Sequence, residues 1–141
     1  MDYDASVWGP HYWFFLDTIA MIYPTYPNDV VKKKYYNLIQ NLPLFIPNYE
    51  ISRNFEKILD LYPLKPYLDN KKSLIKWMNK VHNVINEKLE KPQMSLDSHY
   101  IHYYNRYGKI PNKTFGKYRK YVTFFIVISC LAMGCIYLYN K

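Results

Sequence analysis

The feature that most restricts the fold is a run of nineteen residues, 121–139, that carries no charged side chain. A helix rises about 1.5 Å per residue, so a helix of this length nearly crosses the roughly 30 Å hydrocarbon layer of a bilayer. Backbone polar groups in lipid need partners within their own segment, which favours a helix. Tyrosines at both ends suit the two membrane interfaces. We therefore predict a transmembrane helix over residues 121–139; the alternative is a buried core helix, which so small a domain could hardly enclose.

The net charge is concentrated beside this run. Residues 1–97 contain 12 basic and 11 acidic side chains, whereas residues 98–141 contain 7 basic and no acidic ones. Basic residues on the N-terminal side of an apolar span favour the cytosolic face and anionic lipid headgroups. A nucleic-acid-binding domain would carry its positive charge on the folded part, so no nucleic-acid partner is predicted. The residues expected to meet headgroups are Arg106, Lys109, Lys113, Lys117, Arg119 and Lys120.

These features predict a helical domain over residues 1–107, a basic juxtamembrane linker over 108–120 and a membrane anchor over 121–139. The first ten residues have neither a basic cluster nor an apolar run, so no secretory signal is predicted. The expected protein is single-pass and tail-anchored, with its N-terminal domain in the cytosol.

Five helices are predicted in the N-terminal domain. Apolar side chains recur there at three- and four-residue intervals between prolines, and no strand-like alternation persists. The helices should cover about residues 11–23, 28–41, 48–62, 69–89 and 95–107. Candidate N-caps are Asn28 or Asp29, Asn48, Asp69 or Asn70, and Ser95 or Asp97. Ile22, Leu38 and Leu89 are among the side chains expected to face the core. The predicted fold is an all-α five-helix bundle followed by a C-terminal transmembrane helix.

Three segments carry a recognisable pattern in a fixed order. Residues 8–13 read W-G-P-x-x-W, followed by F-L at 15–16 and A-x-x-Y-P at 20–24. Residues 77–92 read W-x-x-x-x-H-N-x-x-N-x-x-L-x-K-P, and I-P-N-Y-E-I-S-R-N-F lies between the two. Over roughly residues 8–107 this order and spacing resemble the Erv/ALR sulfhydryl oxidases, which are small five-helix FAD domains found in many large DNA viruses.

The resemblance implies an FAD cofactor and a C-x-x-C pair at a helix N-terminus, where the helix end lowers the thiol pKa. In this sequence Asn48 and Ile51 stand where that pair would sit, so no catalytic residue is predicted. Asn48 is expected to cap the helix and Ile51 to add apolar packing. Cys130 and Cys135 are the chain's two cysteines, and both lie in the predicted membrane span.

The resemblance also implies a set of cofactor contacts. Flat aromatic and polar side chains suit a ring-bearing diphosphate ligand. The candidates are Gly9, Trp13, Tyr23, His82, Asn83, Asn86, Lys88, Lys91 and Tyr103. Asp17 replaces a family histidine, and its carboxylate should weaken binding of an anionic cofactor. Two interpretations stay open: a retained FAD site, or a pocket filled by the protein's own side chains. No metal site is predicted, because His99 and His102 lie one turn apart without an evident third ligand.

The favoured interpretation is a membrane-anchored, catalytically inactive relative of these oxidases that acts as a structural or binding module. As a minor virion component it would link the inner membrane of a large DNA virus to a capsid or other virion protein. The family often dimerises through its first helices, so the resemblance leaves open a homodimer, and the sequence does not settle the oligomeric state. The alternative is an FAD-dependent thiol oxidase that forms disulfides with cysteines supplied by a partner.

Overall fold

The computed structural model describes residues 3–108, 121–126, 128–129 and 133 of the chain. Its helices are α1 (Ala5–Ile22), α2 (Asp29–Asn41), α3 (Tyr49–Leu61), α4 (Lys71–Lys88) and α5 (Leu96–Asn105). Short 3-10 turns, Leu42–Phe45 and Lys65–Tyr67, follow α2 and precede α4. Within these described ranges no strand occurs, so the all-helical prediction is confirmed. The chain divides into two compact units, Met1–Tyr103 and Tyr104–Lys141.

Three helices begin where an asparagine side chain caps them. The Oδ1 atoms of Asn28, Asn48 and Asn70 each accept a hydrogen bond from the backbone N–H three residues on, at 2.9, 3.0 and 2.9 Å. A cap of this kind satisfies a donor that the helix itself leaves unpaired. The predicted starts of α2, α3 and α4 are therefore confirmed to within a residue or two.

The first helix begins six residues before the predicted start at His11. Asp4 caps it by accepting a hydrogen bond from the backbone N–H of Ser6 at 2.8 Å. Pro10 then lies inside the helix, where the missing N–H removes one hydrogen bond to the preceding turn. The pattern favoured a later start because Gly and Pro usually interrupt helices. An acidic cap and one lost hydrogen bond are compatible with the longer helix.

The core of the first unit forms where α1 packs against α4. Trp77, the largest fully buried side chain described, donates its indole N–H to the carbonyl of Tyr62 at 2.9 Å. Tyr23 is also buried and donates its hydroxyl to the carbonyl of Leu68 at 2.7 Å. Buried polar groups thus find backbone partners within the apolar core. Around them lie Leu16, Ile19, Ala20, Ile39, Phe55, Ile58, Leu59, Leu74, Ile75 and Val81.

Three side chains predicted to face this core are exposed instead. Ile22 is 65% exposed, Leu38 40% and Leu89 56%. Ile22 is the last residue of α1, and Leu89 follows the last residue of α4. The periodic pattern continued past both helix ends, where the neighbouring helix no longer covers the chain. Leu38 lines a surface groove rather than the core.

In the second unit, residues 121–126, 128–129 and 133 are helical with exposed side chains. None of the helices that the structure describes is long and apolar enough to span a membrane. The predicted linker beyond Gly108 and most of the predicted span over 121–139 lie outside the described residues.

Replacing the cap of α3 should destabilise the domain. Asn48→Ala removes the acceptor for the N–H of Ile51, and we expect the free energy of unfolding to fall by about 1 kcal/mol. Asn54 is exposed on the same helix, so Asn54→Ala is the matched control and should change stability by less than about 0.5 kcal/mol. Urea unfolding followed by circular dichroism measures both variants, and equal losses would contradict the capping role.

Candidate functional site

A cluster of three ionisable side chains lies at the junction of α1, α4 and α5. Asp17 comes from α1, His82 from α4 and His99 from α5. One possible ligand atom from each residue lies within 4.8 Å of those from the other two. The closest pair is His99 Nε2 and Asp17 Oδ1, which are 3.0 Å apart. These helices converge because the apolar residues before and after Asp17, such as Leu16 and Ile19, pack into the core and carry the carboxylate inward.

The cluster is buried and its hydrogen bonding is incomplete. The side chains of Asp17 and His99 are only 6% and 2% exposed. Four buried atoms lack a hydrogen-bond partner: Asp17 Oδ1, His82 Nδ1, and both ring nitrogens of His99. Asp17 Oδ1 and His99 Nε2 are within ion-pair distance, yet their orientation does not make a hydrogen bond. An unsatisfied buried polar atom lowers the free energy of unfolding by roughly 1–3 kcal/mol, so this arrangement destabilises the fold unless a further partner binds.

Burial holds His82 in its neutral form. Desolvation lowers the pKa of His82 from its usual 6.5 to about 4. The Asp17 carboxylate acts in the opposite direction, and the neighbouring His99, His102 and Lys91 lower the pKa further. The ring of His82 stacks on Trp13 with centroids 3.8 Å apart and planes 3° from parallel. Stacking fixes the plane of the imidazole and leaves Nδ1 among the unpartnered atoms.

Two of the predicted cofactor contacts, Trp13 and His82, therefore belong to this junction, and a third lies beside it. Tyr103 stacks on Phe14, with centroids 5.8 Å apart, and donates its hydroxyl to Thr18 Oγ1 at 3.2 Å. Tyr23 lies elsewhere: it is buried, with its hydroxyl on the Leu68 carbonyl and its ring against Tyr35. Tyr23 is therefore part of the core in this structure.

Two polar side chains on α4 that were predicted to contact the cofactor form hydrogen bonds with the turn that follows the helix. Asn83 accepts a hydrogen bond from the N–H of Met94 and donates one to its carbonyl, both at 2.8 Å. Asn86 is buried and donates a long 3.5 Å hydrogen bond to the Pro92 carbonyl. The amides thus hold residues 92–94 against α4. Two other candidates, Lys88 and Lys91, are exposed.

The glycine candidate shows no close approach. Gly9 is half-buried in α1, and a Cβ built at this position would meet nothing within 4 Å. The conformation of Gly9 is helical and does not require glycine. This structure therefore gives no packing reason for glycine at this position.

A groove of about 410 Å³ lies on another face of the first unit. It is lined by His11, Tyr12, Phe15, Leu38, Leu42 and Phe45, from α1, α2 and the 3-10 turn after α2. None of the predicted cofactor contacts lines it, and its wall is almost wholly apolar. We therefore place the candidate site at the Asp17–His82–His99 cluster, where polar groups converge, rather than in the groove.

Sequence reasoning missed the cluster because its members come from three helices. His99 and His102 lie one turn apart in the sequence, but His102 is exposed and does not join the group. The available signal was Asp17, the only charged residue within the otherwise apolar segment of α1. A carboxylate on a buried helix face implies a partner elsewhere in the fold. Among the described residues, these three are the group that could hold a metal ion.

The turn held by Asn83 can be tested by mutation. Asn83→Ala removes the acceptor for the N–H of Met94 and the shorter of the two hydrogen bonds to its carbonyl, so we expect a loss of about 2 kcal/mol in the free energy of unfolding. Asn79 donates a single 3.2 Å hydrogen bond to the same carbonyl. Asn79→Ala is thus the matched control and should cost about half as much. Thermal and urea unfolding give both values, and a larger effect at Asn79 would contradict this account.

Comparison with known proteins identifies relatives of the helical fold. The computed structure is similar to the FAD binding domain of Erv1 from Saccharomyces cerevisiae, with a TM-score of 0.64 and 26% identity over 68% of this chain and 90% of that one. A probable FAD-linked sulfhydryl oxidase of Acanthamoeba polyphaga mimivirus is 31% identical over 56% of each chain. A protein of Invertebrate iridescent virus 3, provisionally named as an FAD-linked sulfhydryl oxidase, is 24% identical over 73% of this chain and 70% of its own length.

The similarity covers most of the helical unit but only part of several relatives. Across three of the curated relatives the chain spans about half of their length, from 44% to 56%. Residues 10–107, which include all three members of the cluster, match the model of the Erv1/Alr family. On this match, and with the helical fold that accompanies it, the chain belongs to the Erv1/Alr family.

Proposed function

We propose that this chain is a non-catalytic member of the Erv1/Alr family that serves as a membrane-associated binding module. The observation that carries the proposal is the N-terminus of α3. There Asn48 Oδ1 accepts a hydrogen bond from the N–H of Ile51 at 3.0 Å. Ser52 also donates its hydroxyl to the Pro43 carbonyl at 2.7 Å. The side chains at this helix end stabilise the backbone and offer no redox group.

Thiol oxidation needs a thiolate within reach of the electron acceptor. Neither an amide nor an aliphatic side chain can form one, and residues 1–129 contain no cysteine. Cys130 and Cys135 follow the basic stretch and lie in the second unit, Tyr104–Lys141. The helical unit on its own therefore lacks a group through which electrons from a dithiol substrate could enter.

Family membership makes FAD the cofactor to test first, but the candidate contacts as placed do not fit it. A flat ring sandwiched between Trp13 and His82 would need their centroids about 7 Å apart, twice a van der Waals contact. The observed distance is 3.8 Å. The Asn83 amide is already engaged with Met94, and the Asp17 carboxylate would oppose an anionic diphosphate. These contacts support a pocket filled by the protein's own side chains, and we assign no reaction step to FAD.

Oxygen consumption tests the lack of oxidase activity. The purified full chain, supplied with a dithiol and excess FAD, should consume oxygen at the rate of free FAD alone. Before FAD is added, the visible absorption spectrum of the purified chain should show no flavin band. A rate well above the free-FAD blank would overturn the proposal, provided that inactivation of the protein by heat abolishes it.

A variant with a restored cysteine pair distinguishes loss of the thiols from loss of flavin binding. The double variant Asn48→Cys, Ile51→Cys places C-x-x-C at the N-terminus of α3. With no bound flavin it should stay inactive, whereas a gain of activity would mean that only the thiols had been lost. The double variant Asn48→Ser, Ile51→Val is the matched control, because it alters the same two positions without adding a thiol.

The proposed partners are a membrane and a virion protein. Residues 98–141 carry seven basic and no acidic side chains, and they include the apolar run 121–139. This combination suits insertion of a helix next to anionic headgroups. Relatives from two large DNA viruses support a viral setting for the module. In this proposal the helical unit contacts a capsid or other virion protein while the C-terminal segment holds it at the inner membrane.

Membrane fractionation tests this placement. The full chain should remain in the membrane pellet after carbonate extraction, because a spanning helix is not released by loss of electrostatic attraction. A chain truncated after residue 107 should appear in the supernatant and is the control. Recovery of the full chain from the supernatant would contradict the membrane anchor.

The second candidate function is a thiol oxidase that uses cysteines supplied by a partner. The retained H-N-x-x-N segment, with His82 Nδ1 buried and unpartnered, favours it, as do the oxidase names of the relatives. It predicts a flavin band in the purified chain and oxygen consumption only when a cysteine-bearing partner is added. The spectrum thus separates the two candidates before a partner is known.

A further inference from the structure

We propose that Asp17, His82 and His99 form a binding site for a divalent transition-metal ion, with Zn²⁺ as the expected occupant. This inference goes beyond the proposed function and does not depend on it. It rests on the convergence of one carboxylate and two imidazoles within 4.8 Å of one another. Imidazole and carboxylate are the ligands that zinc takes from proteins alongside thiolate.

The distances are close to those of a bound site. Ligand atoms at about 2.05 Å from a tetrahedral zinc lie roughly 3.3 Å from one another. His99 Nε2 and Asp17 Oδ1 are already 3.0 Å apart, and no pair of ligand atoms is separated by more than 4.8 Å. The widest separation must therefore shrink by no more than about 1.5 Å. Rotation of side chains can supply such a change without movement of the helices.

The unpartnered atoms point to an absent ligand rather than to an internal ion pair. His99 Nε2 and Asp17 Oδ1 lie 3.0 Å apart without forming a hydrogen bond, and His82 Nδ1 has no partner either. A cation bound by one ligand atom from each of the three residues would give Asp17 and His99 the partners that they lack. It would also neutralise a carboxylate that is only 6% exposed.

The surroundings hold the ligands in place. Trp13 stacks on His82 at 3.8 Å and fixes the plane of the ring. This contact limits the orientations that the imidazole can take toward a bound ion. Because the three ligands come from α1, α4 and α5, the ion would join helices that are distant in sequence. Three protein ligands also leave a fourth position for water or an exogenous group.

The test uses the full chain in detergent, with metal removed by a chelator. Titration with Co²⁺ should produce visible absorption bands typical of tetrahedral coordination, which saturate at one ion per chain. Zn²⁺ should displace Co²⁺ and abolish the bands, and elemental analysis should find one zinc per chain. Zinc in excess should also raise the melting temperature by roughly 10 °C, because the ion binds the folded state.

Variants locate the site. Asp17→Asn and His99→Gln should weaken Co²⁺ binding at least about 100-fold, since loss of a direct ligand costs no less than loss of a supporting contact. The controls are His102→Gln and His11→Gln, both at exposed positions, and these should bind as the parent does. Circular dichroism checks that each variant is folded; if Asp17→Asn unfolds, His82→Gln takes its place.

Three results would overturn the proposal. The first is the absence of stoichiometric Co²⁺ or Zn²⁺ binding to the folded parent chain. The second is metal binding that survives in Asp17→Asn and His99→Gln but disappears in the double variant Cys130→Ser, Cys135→Ser, which would assign the ion to thiolates. The third is a purified chain that carries flavin and excludes metal. The first two results leave the proposed function untouched, whereas the third would count against the proposed function as well.

Discussion

The packing of α1 on α4 is the interaction on which the rest of the structure depends. Both helices are 18 residues long, and together they supply much of the buried core. Their contact buries Trp77, whose indole reaches the carbonyl of Tyr62 at the end of α3. Tyr23, directly after α1, is buried as well, and its hydroxyl reaches the carbonyl of Leu68 in the turn before α4. Two hydrogen bonds from core side chains thus tie the connecting turns to the central helix pair.

The same packing decides the character of the site. Asp17 lies on the face of α1 that must turn inward because its apolar neighbours do, so the carboxylate is buried whether or not a partner is present. α4 contributes His82, which stacks on Trp13, and α5 contributes the buried His99. The result is a polar group whose members lack sufficient partners among themselves. This differs from the α3 N-terminus, where Asn48 Oδ1 and the Ser52 hydroxyl each make a hydrogen bond to the backbone.

Features set by local sequence were predictable, and features set by distant contacts were not. Three helix starts were predictable from the asparagines that cap them, because an asparagine cap bonds the backbone within three residues. These caps are Asn28, Asn48 and Asn70. Asp4 also caps a helix, α1. The sequence pattern nevertheless favours a later start for α1, because Gly9 and Pro10 usually interrupt helices. Tyr23 and Tyr103 were predicted as cofactor contacts from the family resemblance alone. Their hydroxyls find partners at Leu68 and Thr18, which no local pattern encodes. The Asp17–His82–His99 cluster escaped prediction for the same reason.

The number of residues between Asp17 and His99 in the chain also affects the order in which the domain folds. They lie 82 residues apart in the chain, and closure of so long a loop is slow compared with formation of a helix. During synthesis α1 emerges first, and Asp17 remains a hydrated carboxylate until α5 has left the ribosome. The buried cluster is then among the last parts of the domain to assemble. A nascent chain halted before residue 99 would contain most of the apolar core but not the group that α5 completes.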